Sequence, residues 1–160
     1  MRNKDLLKFA KEEKTAFGAF NFYNLESARA VIKGAEENKK DVFLQLTEKS
    51  IDFYGFEEVL VIVEMLKNKS SRNILLHLDH GKSVELVKKA INSGFDSVMF
   101  DGSSLGLENN IAMSCDLRKM ASKKGVIFEG EVGNIGSDDQ LNRRKLPFKT
   151  NPSEALRYFN

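Results

Sequence analysis

Five short apolar runs recur along this chain, and the segments between them are too long to be turns. The runs are AFGAFNF (16–22), DVFLQLT (41–47), NILLHLD (73–79), DSVMFDGS (96–103) and VIFEGEV (126–132). They start roughly 25–30 residues apart, the length of one strand–helix–strand unit. The intervening segments carry helical signals. NLESARAVIKGAEENKK puts Leu25, Ala28, Val31, Ile32 and Ala35 at helical spacing behind Asn24, a capping residue. FEEVLVIVEMLKNK (56–69) is too long, and too bounded by charge, to be a strand. SVELVKKAINSG opens on Ser83 as N-cap and closes on Gly94. A long helix then runs to about Lys124, with Leu107, Ile111, Leu117 and Ala121 facing inward and Gly125 as its stop. A short helix over 3–12 precedes the first strand, and Pro152 starts a last one, PSEALRYF.

Strands so nearly continuous in apolar residues predict a parallel sheet covered on both faces. An open doubly wound sheet and a (β/α)₈ barrel both satisfy that pattern. No GxGxxG follows the first strand and no GxxxxGK[ST] is present, so the nucleotide-binding open sheets lose their best signal. The polar residues favour the barrel. Asn21, Thr47, Asp79 with His80, and Asp101 end the first four strands, and Glu131 lies on the fifth. Barrel enzymes assemble their sites from the C-terminal ends of strands. Any one of these alone reads as a strand-end turn residue; the series of five is what carries the barrel.

Composition narrows the functional classes. The 160 residues, 41% hydrophobic and 30% charged, have an ordinary soluble globular balance and are expected to form one domain over 1–160. A net charge of +2 with interleaved signs argues against nucleic acid as a partner. The N-terminus is too charged for a secretory signal. The longest apolar stretch, VLVIV at 59–63, is too short for a membrane span. The single cysteine, Cys115, is read as a buried helix residue and suits a reducing compartment, so a cytoplasmic location is expected.

LHLDHGKS (76–83) holds both histidines of the chain. Strand alternation puts His77 and Asp79 on one face, and His80 sits where the chain exits through Gly81. The cluster supports either a metal ligand with an acid–base partner or a hydrogen-bonded core histidine. Two neighbouring histidines do not complete a zinc site. In EGEVGNIGSDDQ (129–140), Glu129 and Glu131 share a face. Two inward carboxylates need a cation, a basic partner or a retained proton; alternatively one alone faces inward. Asp138 and Asp139 fall in a long aperiodic loop and read as solvated turn residues. DGSS (101–104) suits phosphate binding or helix capping, with capping favoured.

Taken in order, AFGAFNFYNLESARAVIKGAEE, VFLQLTEKS, LHLDHGKSVELVKKAINSGFDSVMFDGSS and VIFEGEVGNIGSDDQ resemble the class II, metal-dependent fructose-bisphosphate aldolases and their tagatose-bisphosphate relatives. The resemblance implies a (β/α)₈ TIM barrel of which this chain covers about the first five βα units, an N-terminal portion that ends before the rest of the barrel. It implies zinc-dependent, reversible cleavage of fructose 1,6-bisphosphate to dihydroxyacetone phosphate and glyceraldehyde 3-phosphate. His80 matches a zinc ligand, and Asp79 the residue that handles the C4 hydroxyl proton. Asp101 and Glu131 match carboxylates that support the metal site or, in some members, a second mono- or divalent cation. Asn21 and Thr47 fall where the family contacts substrate. Asp138 and Asp139 stand where many members carry a Glu pair implicated in proton exchange.

The family's other two zinc-ligand histidines and its glycine-rich phosphate sites lie in the later half of the barrel, and this chain has no histidine after His80. The isolated chain is therefore expected to be incomplete for catalysis. The full-length form is expected to be a homo-oligomer, and the open strand edges of a half barrel invite association. A non-catalytic half barrel that assembles with a partner, a tagatose-bisphosphate aldolase and a metal-free phosphate-binding barrel are the alternatives.

Overall fold

The computed structural model describes residues 3–133 and 150–160. Its elements are α1 (Asn3–Glu12), β1 (Gly18–Asn21), α2 (Leu25–Glu37), β2 (Val42–Thr47), α3 (Glu48–Tyr54), α4 (Phe56–Lys69), β3 (Ile74–Gly81), α5 (Val84–Asn92), β4 (Ser97–Phe100), α6 (Leu107–Lys124), β5 (Ile127–Gly130) and α7 (Pro152–Phe159). The strands form one sheet in the order β1-β2-β3-β4-β5, each parallel to its neighbours. Spatial order equals chain order. A doubly wound sheet reverses direction at a switch point, whereas a barrel adds one βα unit after another. These are five consecutive strands of a (β/α)₈ barrel.

Alternation divides the sheet into two unlike faces. Val42, Leu44, Leu46, Ile74, Leu76, Leu78, Val98 and Phe100 are buried in one core with Ala28, Ile32, Val59, Val63, Val87, Ala90, Leu117 and Ala121 of the helices. The opposite face carries Gln45, His77, Asp79, Asp101 and Glu129. Its N-terminal half is filled by a run of rings, Phe9–Phe17–Phe43–His77, with successive centroids 6.4, 6.4 and 6.3 Å apart. The cover that apolar strands imply thus differs between the two faces. In a barrel only the outer face meets the helices, and the inner face meets the barrel's own side chains.

Local chemistry explains most boundaries. The Asn24 side chain accepts from Ser27 N at 2.8 Å while the Ser27 hydroxyl accepts from Asn24 N, a reciprocal cap that starts α2. Ser83 accepts from Leu86 N to start α5. Gly125, left-handed at φ 74°, ends α6.

Three readings from sequence need correction. Residues 48–54 form the helix α3, which starts on a Thr47 side-chain cap and was not anticipated. Cys115 is exposed, not buried. Leu107 and Ile111 are only half-buried, because Asn110 and Ser114 take the innermost positions of α6 beside Leu117 and Ala121.

Candidate active site

The end of β3 breaks the rule that neighbouring strand residues point to opposite faces. β3 and β4 pair in register at Leu78↔Val98 and again at Gly81↔Phe100. Three steps on one strand match two on the other, so one extra residue is accommodated across Asp79–His80. Such bulges re-aim side chains beside active sites. His80 takes φ 49°, left-handed and unusual for a residue with a Cβ. Its ring therefore turns to the same side as Asp79. Gly81 makes the turn possible. A Cβ there would stand 2.8 Å from Leu78 Cδ2, 2.8 Å from Val87 Cγ2 and 2.9 Å from the Met99 carbonyl oxygen. Beyond the turn, Glu48 at the start of α3 accepts from Lys82 N at 3.0 Å and from Ser83 N at 2.8 Å through one carboxylate oxygen.

Around the His80 ring stand three carboxylates from three strand ends. His80 Nδ1 lies 3.2 Å from Glu131 Oε2 and 3.5 Å from Asp101 Oδ2, and Nε2 lies 3.9 Å from Asp79 Oδ1. Two of the carboxylates are held by their other oxygen. Asn21 Nδ2 donates to Asp79 Oδ2 at 2.8 Å, from β1 across β2. The Ser103 amide and hydroxyl donate to Asp101 Oδ1 at 3.1 and 2.6 Å. Asp101 thus caps its own turn, and the next helix starts at Gly106 without a side-chain cap.

The electrostatics of the pair are opposed. Burial alone would raise the Asp101 carboxyl, but the Ser103 hydrogen bonds, with Lys82 and His80, hold it below the ordinary carboxylate range. The Glu131 carboxyl is pushed up, by burial first and then by the Asp101 charge. Its Oε2 is inaccessible to solvent and has no partner with hydrogen-bond geometry. A buried carboxylate oxygen without a hydrogen bond costs on the order of 1–3 kcal/mol, and a cation shared with the His80 ring, 3.2 Å away, removes that cost. One ligand atom each from His80, Asp101 and Glu131 lies within 4.8 Å of the others. A nitrogen with two carboxylate oxygens is a donor set that suits zinc. The residues present therefore fit a divalent cation.

One layer toward the strand N-termini, His77 is the hydrogen-bonded core histidine. It is 5% exposed, and its Nδ1 pairs with the Ser97 hydroxyl at 2.8 Å. Burial drives its pKa down to about 4, against the opposing pull of Asp79. Glu129 does share the inner face with Glu131, and its Oε2 is 3.9 Å from His77 Nε2. Its carboxyl is pushed up by partial desolvation on that face and by the Asp79 charge.

Of the other residues singled out from sequence, Thr47 pairs in register with Asp79, yet its hydroxyl is engaged with Ser50 in capping α3. Asp138 and Asp139 lie outside the described residues. Glu48 and Asn110 were not anticipated, because their partners are main-chain groups distant in sequence.

A parallel α/β sheet with a histidine and carboxylates at its strand ends defines the class: a barrel of enzyme type. The family model for class-II fructose-bisphosphate aldolase matches residues 1–160, and the chain belongs to that family. It is 40% identical over 136 residues to 6-phospho-5-dehydro-2-deoxy-D-gluconate aldolase of Bacillus licheniformis, covering 83% of this chain and 47% of that one. It is 32% identical to fructose-bisphosphate aldolase of Helicobacter pylori (strain J99), covering 99% of this chain and 52% of the relative. The crystal structure of a putative fructose-1,6-biphosphate aldolase from Coccidioides immitis superimposes with a TM-score of 0.80 at 29% identity, covering 99% of this chain and 56% of that one. The YdjI aldolase of Escherichia coli K12 does so with a TM-score of 0.76 at 26% identity, covering 98% and 57%. The chain thus spans about half the length of the curated relatives it matches. Among the described residues no helix is long and apolar enough to cross a membrane.

Proposed function

We propose that this chain forms the N-terminal part of the site of a cytoplasmic, zinc-dependent aldolase that cleaves a phosphorylated keto sugar, with fructose 1,6-bisphosphate as the first candidate. The observation that carries the reading is the convergence of His80, Asp101 and Glu131 around one point, with Glu131 Oε2 buried there and facing the His80 ring without a hydrogen bond. In this reading His80 holds the zinc, and Asp101 and Glu131 support it or a second cation. Zinc, when bound, supplies Lewis-acid polarisation of the substrate carbonyl and offsets the negative charge left as the C3–C4 bond breaks.

Asp79 does the proton work. Its Oδ2 is fixed by Asn21, which leaves Oδ1 on the His80 side as the basic atom. That oxygen accepts the proton of the C4 hydroxyl as the carbon–carbon bond opens and returns it in the synthetic direction. Asn21 orients the base and, with Thr47, lies along the proposed substrate path. Asp138 and Asp139 are proposed to exchange the proton on the dihydroxyacetone phosphate carbon. Further zinc ligands and the phosphate grip come from the rest of the barrel, which in the full-length form is proposed to be a homo-oligomer.

A second substrate is supported by the relatives named 6-phospho-5-dehydro-2-deoxy-D-gluconate aldolase, 37–40% identical to this chain. The test is to complete the chain with the remaining barrel of a relative and to follow consumption of fructose 1,6-bisphosphate, tagatose 1,6-bisphosphate and 6-phospho-5-dehydro-2-deoxy-D-gluconate, with zinc and after chelation. Zinc-dependent cleavage of one of the three supports the reading and selects the substrate. Cleavage that survives chelation contradicts it.

A further inference from the structure

Glu131 lies one residue beyond β5, where the regular ladder has ended. Its main chain is nonetheless pinned at both polar groups. Glu131 N donates to the Phe100 carbonyl at 3.3 Å, and the Glu131 carbonyl accepts from Asn110 Nδ2 at 2.7 Å. Asn110 is 2% exposed, an uncommon place for an amide unless all its polar atoms are engaged. They are: its Oδ1 accepts from the Ser114 hydroxyl at 3.2 Å, and that hydroxyl accepts from Tyr158 at 2.7 Å. The chain of donors runs in one direction, from Tyr158 on α7 through Ser114 and Asn110 on α6 to the Glu131 main chain.

The same side chain also abuts the Asp101 loop. A Cβ at Gly102 would collide with Asn110 Oδ1 and stand 2.6 Å from its Cγ. Asn110 is therefore seated between the loop that carries Asp101 and the backbone that carries Glu131. Among the described residues, no hydrogen bond joins Asn110 to either carboxylate.

We propose that Asn110 is a positioning residue for the cation site: it sets the spacing of the Asp101 and Glu131 carboxylates through Gly102 and the Glu131 carbonyl. The inference rests on the cation reading of that site. A polar partner behind a metal ligand typically changes affinity by ~10–100-fold, and Asn110 acts one step further back, through main chain. The expected effect of Asn110→Ala is therefore about 10-fold, the lower end of that range.

The test uses the 160-residue chain with Zn²⁺ as probe, competed against a chromophoric chelator, beside thermal unfolding of each variant. Asn110→Ala should weaken Zn²⁺ about 10-fold. Co²⁺ in place of Zn²⁺ should show an altered visible spectrum in the same variant, because the ligand geometry has changed. Gly102→Ala pushes on Asn110 without removing it, and also on the buried Phe100 ring, whose Cε1 would stand 2.9 Å from the new Cβ, so it should weaken Zn²⁺ in the unsubstituted background and by a smaller factor once residue 110 is alanine.

A merely structural role predicts a lower unfolding temperature with unchanged Zn²⁺ affinity and Co²⁺ spectrum. That result overturns the inference while leaving the cation site standing. If Asn110→Ala does not fold, Gly102→Ala decides alone, and unchanged affinity there overturns it. If the unsubstituted chain binds no Zn²⁺, the cation reading fails and this inference with it.

Discussion

The two faces of one sheet are built from alternate residues of the same strands, and they are organised by different rules. On the helix side, Leu44, Leu46, Leu76, Leu78 and Val98 are close to fully buried, and each follows or precedes a residue of the other face. On the inner side those neighbours include Gln45, Thr47, His77, Asp79 and Ser97, with Asp101 two positions beyond Met99. Apolar burial is non-directional, so the outer face needs only residues of suitable size in the correct parity. The inner face needs directed contacts, and these break regularity: a bulge at Asp79–His80, a left-handed histidine and a buried carboxylate oxygen without a hydrogen bond. Stability is concentrated on one face and strain on the other.

This division can be broken experimentally. The largest effect is expected from His80→Ala in a chain completed with the rest of the barrel. It should lose both zinc and cleavage, because a catalytic zinc usually needs three protein ligands. Retained zinc with full turnover would remove His80 from the site. Asp79→Ala in the same background should keep zinc and lose ~10²–10⁴-fold in cleavage rate. Its stability should be little changed, and kcat with zinc content separates the two variants. On the other face, Leu44→Ala should leave zinc binding intact and cost ~2–5 kcal/mol in urea unfolding. A loss of zinc affinity from Leu44→Ala at temperatures where the variant is folded would show that the faces are not separable.

A smaller effect sharpens the comparison at a titratable inner residue that is buried like an outer one. The His77 imidazole has its pKa lowered from 6.5 to about 4. The unfolded chain therefore binds that proton more readily than the folded chain between those values. The contribution of neutral His77 is fully present above pH 6.5 and is lost as pH falls toward about 4. A displacement of that size corresponds to about 3 kcal/mol. Relative to His77→Asn, the unsubstituted chain should lose more stability between pH 7 and pH 4, measured as the shift in urea midpoint. Equal pH slopes would mean that the imidazole is not buried as described.

The same contrast accounts for what could be read from residues alone. The five strands and the helices 3–12 and 56–69 follow from apolar runs and spacing, which are local and periodic. Asn24, Ser83 and Gly125 follow from cap chemistry. EKSIDFY escaped because α3 buries only Ile51 and so leaves no stripe to read. Cys115 was misplaced because α6 turns Asn110 and Ser114 inward to serve main-chain and hydroxyl partners, which rotates its buried stripe away from the apolar count. The convergence of Asp79, His80, Asp101 and Glu131 at one end was legible, since each sits at a strand's C-terminal end. The bulge that turns His80 toward Asp79 was not, because a register shift is a property of two strands and neither states it alone.

The central claim is that the inner face presents a cation site whose ligands include His80, Asp101 and Glu131. Titration of the 160-residue chain with Zn²⁺, beside Glu131→Gln and Asp101→Asn, tests it most directly. The account predicts weak binding of one zinc per chain, no measurable aldol cleavage by the chain alone, and weaker zinc binding in both variants, with Glu131→Gln unfolding at higher urea than the parent when metal is absent because a carboxylate disfavoured by burial and by the Asp101 charge is gone. Zinc affinity indifferent to both substitutions, or no zinc binding by the parent, would contradict it.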